Sequence, residues 1–185
     1  MYLSFQSFNR APWDWFADQV ERHKSANAII LDLRENAGGA LEVQRNVFDL
    51  FFRTKTLVGK FRDRNGKEHT YNIEGRKSAY QGRLFVLIGP NTQSASETFA
   101  AAIQESGRGV VIGQRSKGEV MLGTHYKLPN GYDLHLAMMN YHTAKGIRLE
   151  GRGVIPDLEV GVTIKDFQEN RDAALEKVNA LLQQQ

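Results

Sequence analysis

Ala28-Ile29-Ile30-Leu31-Asp32-Leu33 is an apolar run interrupted by one aspartate, and Arg34-Glu35-Asn36-Ala37-Gly38-Gly39 follows it. So short a run without polar alternation reads as a strand buried on both faces, as in a parallel sheet. The paired glycines allow a sharp turn, and Val43, Val47, Leu50 and Phe51 mark a helix beyond it. Strand, small-residue turn and helix form the repeating unit of an α/β fold. The unit recurs at Leu84-Phe85-Val86-Leu87-Ile88, closed by Gly89-Pro90. A helix opening at Ser94 follows, with Ala95, Phe99, Ala102 and Ile103 on one face. Gly107-Arg108-Gly109 ends that helix, and Val110-Val111-Ile112 reads as a third buried strand.

Outward from this centre, Tyr2 to Phe8 reads as a short strand. Asn9-Arg10-Ala11-Pro12 opens a helix with Pro12 in its first turn. Trp13, Phe16, Ala17 and Val20 form its apolar stripe, which ends near Lys24 and which Trp15 does not join. Leu57 to Ile73 is expected to form a hairpin on a two-residue Asn65-Gly66 turn. Glu119 to Leu136 reads as two extended segments around Pro129-Asn130-Gly131, and Ala137 to Leu149 as another. Asp157 to Val160 follows a Val-Ile-Pro turn. Asp166 to Leu182 reads as one terminal helix with Phe167, Ala174, Leu175, Val178 and Leu182 as its stripe, and the Gln183-Gln184-Gln185 end is expected to fray. The expected organisation is an α/β core over residues 1–163 with antiparallel hairpin excursions. A C-terminal helix, 164–185, packs on or extends from it.

Composition removes several classes of function. The chain has 185 residues, long enough for one domain with a core that needs no disulfide or metal staple. Lys and Arg number 24 against 21 Asp and Glu, without the clustering of a nucleic-acid footprint. Cysteine is absent, which excludes disulfides, thiol catalysis and Cys-ligated zinc. His23, His69, His125, His135 and His142 show no metal-ligand spacing, so no metal is expected. No apolar run reaches the ~20 residues of a membrane span. The opening Met1-Tyr2-Leu3-Ser4-Phe5 lacks the pattern of a signal peptide.

Ligands of such folds sit beyond the carboxyl ends of the strands, where helix N-termini offer free N–H groups. Gly38-Gly39 fits an anion- or oxyanion-binding turn, and equally a plain connection that needs positive φ. It is neither a dinucleotide loop nor a P-loop. Ser94-x-x-Glu97 fits a capping box. It also places a hydroxyl at the positive end of a helix, where charge developing on oxygen is stabilised and the Ala95 N–H can help hold a carbonyl oxygen. The surroundings are not the G-x-S-x-G elbow of α/β-hydrolases. Gly113-Gln114-Arg115-Ser116-Lys117-Gly118-Glu119 is a polar loop from which Lys117 or Glu119 can face the same cleft, or simply solvent.

Taken in order, four segments resemble the catalytic core of the tail-specific, or C-terminal processing, proteases of serine peptidase family S41. They are Ala28 to Gly39, Gly89 to Ala102 with its Ser94-Ala95-Ser96-Glu97, Gly107 to Gly113, and Gly151-Arg152-Gly153-Val154-Ile155-Pro156-Asp157. The resemblance implies a ClpP/crotonase-like core of stacked β-β-α units. It implies Ser94 as the nucleophile of a serine endopeptidase, with the Gly38-Gly39 turn and the Ala95 amide as oxyanion hole. Glu97, Ser116 and Glu119 are expected to support the site, and no cofactor is implied. The expected partner is an unfolded or C-terminal polypeptide segment bound beside a strand, in an enzyme that is periplasmic or exported and open to homo-oligomerisation.

The family's lysine-dependent branch carries T-x-G-K, with Lys as general base, where this chain has Ser116-Lys117-Gly118-Glu119. Glu119 therefore stands at the base position, and a carboxylate is an ordinarily weak base at neutral pH. Three readings stay open. A histidine outside the chain serves as base, as in the branch resembling tricorn protease; Lys117 serves after a two-residue shift; or the site is inactive and the fold is a peptide-binding scaffold. A crotonase-type acyl-CoA enzyme shares the fold, but the Ser94-Ala95-Ser96-Glu97 helix start speaks against it. The PDZ domain and helical region that usually precede this core are absent from the 185 residues.

Overall fold

The computed structural model describes residues 1–184, with the side chains of all but Ala11 and Pro12. In chain order the elements are β1 (Tyr2–Ser4), α1 (Arg10–Arg22), β2 (Ala28–Asp32), α2 (Leu41–Asp49), β3 (Thr56–Asp63), β4 (Glu68–Ile73) and β5 (Arg83–Ile88). Then come α3 (Ala95–Glu105), β6 (Val110–Gly113), β7 (Leu122–Lys127), β8 (Asp133–Thr143), β9 (Leu158–Glu159), α4 (Ile164–Gln168) and α5 (Ala173–Gln183).

A five-stranded sheet of order β1-β2-β5-β6-β9 is parallel throughout. Its central strands are apolar along their length because both faces are covered. Successive side chains point to opposite faces. Ile29, Leu31, Leu84, Val86 and Ile88 therefore enter the main core with Phe16 of α1, Phe48 of α2 and Phe99 of α3. Ala28, Ile30, Phe85 and Leu87 form a second cluster with Ala174 and Val178 of α5. A second, antiparallel sheet of order β4-β3-β8-β7 adds Val58, Phe61, Tyr71, Ile73 and Tyr141 to the main core. At its centre, the Phe99 ring stacks on Phe48 at 4.7 Å and lies 6.0 Å from Phe8 and 6.2 Å from Phe51.

Three local expectations are corrected. The hairpin does not turn on two residues. Asp63 and Lys67 close a three-residue loop, Gly66 alone has positive φ (83°), and the Asp63 carboxylate accepts the Asn65 and Lys67 N–H groups. The extended region after Pro129 is one long β8. Its first half pairs with β7 and its second with β3, so no polar break marks the change of partner.

The C-terminal segment is two helices. Thr163 and Asp166 cap α4 reciprocally, Asn170 takes φ 50°, and the Asp172 carboxylate accepts the Leu175 N–H to start α5. Phe167 consequently leaves the stripe and is 84% exposed. Of the Gln183-Gln184-Gln185 end expected to fray, Gln183 is still helical, Gln184 is the C-cap of α5, and Gln185 lies outside the described residues. Arg34, just after β2, anchors α5 through bidentate contacts to Asp32 and Asp172. No described helix is long and apolar enough to cross a membrane.

Candidate active site

β2, β5 and β6 are parallel neighbours, so the segments leaving their carboxyl ends meet at one edge of the sheet. Thr92, fully buried, ties the first two: its hydroxyl donates to the Leu33 carbonyl at 2.7 Å and accepts the Gly89 N–H at 2.9 Å. Gly38 and Gly39 adopt φ 90° and 142°, which disfavour any side chain. Space excludes one as well. A Cβ on Gly38 would stand 2.7 Å from the Ser94 Cβ and 2.9 Å from the Ala95 nitrogen. The bend is sewn to the chain after β1 by the Phe8 N–H donating to the Gly38 carbonyl (2.7 Å) and the Ala40 N–H to the Phe8 carbonyl (2.9 Å). The Gly38 N–H donates to Asn36 Oδ1 at 2.9 Å. The Gly39 and Ala95 N–H groups have no acceptor among the described residues. The expectation for the oxyanion hole thereby narrows: Gly39 and Ala95 keep free donors, and Gly38 supplies space.

Ser94 has φ 57° and ψ −118°, the values of the first central residue of a type II′ turn, where glycine is the usual occupant. Holding another residue there costs on the order of 1–3 kcal/mol and needs surrounding bonds to enforce it. These are present. The Ser94 N–H donates to Glu97 Oε2 at 3.0 Å, and the Ser94 carbonyl accepts the N–H groups of Glu97 and Thr98 at 3.0 and 3.1 Å. Ser94 and Glu97 thus stand in the capping-box relation read from the sequence. In that box the Ser94 hydroxyl lies on the side of the Glu97 N–H without meeting hydrogen-bond geometry, and it makes no hydrogen bond among the described residues.

Glu97 is fully buried and joins Ser94 to the third loop. Its Oε1 accepts from the Ser116 hydroxyl and the Gly118 N–H, both at 2.6 Å, and its Oε2 also accepts the Glu119 N–H at 2.9 Å. Four donors thus satisfy a carboxylate with no cation beside it, the requirement for burying such a charge. Ser116 accepts the Val154 N–H at 2.7 Å, and Glu150 takes the Val120 and Met121 N–H groups at 2.8 and 3.2 Å.

Lys117 and Glu119 reach the flank of the Ser94 turn but bind each other. Their ion pair measures 3.0 Å, and Gln93 closes the ring by accepting from Lys117 Nζ (3.2 Å) and donating to Glu119 Oε2 (2.6 Å). Both side chains are about half exposed. Every residue expected at the site is therefore gathered at this sheet edge. Sequence reasoning missed polar residues that hold it: the buried Asn36, Gln44, Thr92 and Ser96, and the half-buried Glu150. Gln44 of α2, for example, donates to the Ala95 carbonyl and to Thr98 Oγ1. The histidines do not join the site as a metal centre: among the described residues, no group of three or more His, Cys, Asp or Glu could hold a metal ion.

Residues 1–160 match the profile of Peptidase family S41. The chain belongs to that family. Among similar S41 proteins is the tail-specific protease of Haemophilus influenzae, 33% identical over 160 residues, a match covering 81% of this chain and 23% of the relative. The carboxyl-terminal-processing protease of Synechocystis is 28% identical over 170 residues, covering 91% of this chain and 39% of the relative. The solved photosystem II D1 C-terminal processing protease superposes with a TM-score of 0.73 at 26% identity, covering 86% of this chain and 42% of that one. The α/β arrangement is thus the S41 protease fold, and the chain spans well under half the length of these relatives.

Proposed function

We propose that the protein is a serine endopeptidase that works through Ser94. The observation that carries this reading is the unused Ser94 hydroxyl, held at a strained turn against the Gly38 bend with the Gly39 and Ala95 N–H groups, free of any acceptor among the described residues, beside it. Ser94 Oγ attacks the peptide carbonyl, its proton passes to a base, and the Gly39 and Ala95 N–H groups receive the negative charge on oxygen. The amine leaves with a proton, and water then hydrolyses the acyl-enzyme. Glu97 is not the base, because Ser94, Ser116, Gly118 and Glu119 fill its acceptor sites. Lys117 is engaged by Glu119 and Gln93, which favours a histidine from outside residues 1–185, as in the branch resembling tricorn protease.

The substrate is an unfolded or C-terminal polypeptide segment bound in extended form, a reading supported by the relatives' names, tail-specific and carboxyl-terminal-processing. Those names give no support to an inactive scaffold. A periplasmic or exported location follows from the family alone, and cell fractionation tests it. The functional test is cleavage of unfolded casein and of a reporter with an apolar C-terminal tail by the full-length protein. Cleavage that disappears in Ser94→Ala supports the proposal; equal cleavage by both proteins rejects it.

A further inference from the structure

Asn36 is fully buried where three segments of the site meet. Its Nδ2 donates to the Phe5 carbonyl at 2.8 Å. Its Oδ1 accepts the Gly38 N–H at 2.9 Å and the Ser96 hydroxyl at 2.6 Å. Its backbone carbonyl accepts the Gln93 N–H at 3.1 Å and lies 3.0 Å from the same Ser96 hydroxyl. The amide has one workable orientation, since exchanging its O and N would set an NH2 against the Gly38 N–H and an oxygen against the Phe5 carbonyl.

These bonds determine where the two free donors lie. Gly38 C=O and Gly39 N–H belong to one planar trans peptide unit and point in opposite directions. Asn36 holds the N–H side of Gly38, and Phe8 holds its carbonyl, so the Gly39 N–H is aimed away from Phe8. The second donor, Ala95 N–H, sits between Gln93 and Ser96, which both bond Asn36. We infer that Asn36 is the positioning residue of the oxyanion site, setting the separation of the Gly39 and Ala95 donors from one side chain and its own carbonyl. It touches no substrate and acts through the two amides. This inference rests on the Ser94 reading above.

The test is the kinetics of Ser94 modification by an alkyl fluorophosphonate in the full-length protein. The reaction forms the Oγ–P bond, breaks P–F and releases fluoride, with the hydroxyl proton passing to the base. Its phosphoryl oxygen occupies the place of the oxyanion. Loss or misplacement of an oxyanion donor costs about 10²- to 10³-fold. Asn36→Ala is therefore expected to lower the maximal inactivation rate about 100-fold at unchanged half-saturating probe concentration. Asn36→Asp keeps both Oδ acceptor contacts and, as the protonated carboxylic acid, still donates to the Phe5 carbonyl, so it is expected to recover at least threefold of that loss below the pH at which the acid ionises. A loss under tenfold in Asn36→Ala, a loss confined to probe binding, or equal losses in the two variants overturns the inference. Should Asn36→Ala fail to fold, Ser96→Ala decides. A drop of about tenfold in rate at unchanged probe binding supports the inference, and a wild-type rate overturns it. Failure of the underlying reading looks different: the wild-type protein itself takes up no phosphonate at Ser94.

Discussion

The backbone N–H of Ser94 donates to the buried Glu97 carboxylate at 3.0 Å while the Ser94 hydroxyl is left without a partner. The same carboxylate receives Ser116, Gly118 and Glu119 from the loop after β6. One acidic group thus fixes the backbone of Ser94 and the loop beside it, and leaves the Ser94 side-chain oxygen available. An ordinary helix cap would engage that oxygen.

The strain at Ser94 has a measurable signature. Ser94→Ala keeps the unfavourable φ and loses no hydrogen bond, so its stability should stay within about 0.5 kcal/mol of the parent. Ser94→Gly relieves the strain at the cost of glycine's extra chain entropy and should exceed Ser94→Ala by about 1 kcal/mol. Urea unfolding of both variants checks the order, and neither should retain peptidase activity.

Gly38→Ala should fail in two ways at once. Its φ of 90° penalises a side chain, and the added Cβ would stand 2.7 Å from that of Ser94. A loss of about 2–4 kcal/mol is expected, with the activity of the folded fraction abolished. Thermal unfolding and a casein assay at low temperature separate the two effects.

Replacing Glu97 by glutamine keeps the shape but turns two acceptor positions into donors facing donors. The variant should lose about 2–3 kcal/mol. Amide exchange should quicken first at Gly118 and Glu119, whose N–H groups bond the carboxylate, and the protection of β2 and β5 should change little.

Acid should loosen α5. Burial works to raise the Asp172 carboxyl, but bonds from Arg34 and the Leu175 N–H outweigh it and hold the group below the ordinary carboxylate value. A depressed folded-state pKa means that this contribution is present above the unfolded value of about 4 and is lost as pH falls through the folded one. Stability should therefore drop below about pH 4, and Asp172→Asn should remove part of that dependence. Chemical unfolding of both proteins from pH 7 to pH 3 measures it.

Much of this was legible in the sequence where a local pattern suffices. The runs at Ala28 and Leu84 are apolar on both faces because helices cover both sides of a parallel sheet. The paired glycines and Ser94 are visible because a strand ends, a bend is needed and a helix starts within a few residues. Illegible features depend on distant partners. Asn36 gains its role from Ser96, and Glu150 from the N–H groups of Val120 and Met121, none of which its neighbours in sequence announce. The break between α4 and α5 was missed because the apolar spacing continues across Asn170, whose positive φ ends one helix before Asp172 caps the next.

Intact-mass spectrometry of the full-length protein after treatment with an alkyl fluorophosphonate, followed by peptide mapping, asks whether the free hydroxyl is a nucleophile. One phosphonyl group per chain, located on Ser94 and absent from Ser94→Ala, is the predicted result. A folded protein that stays unmodified, or one modified at another residue while Ser94 remains free, would contradict it.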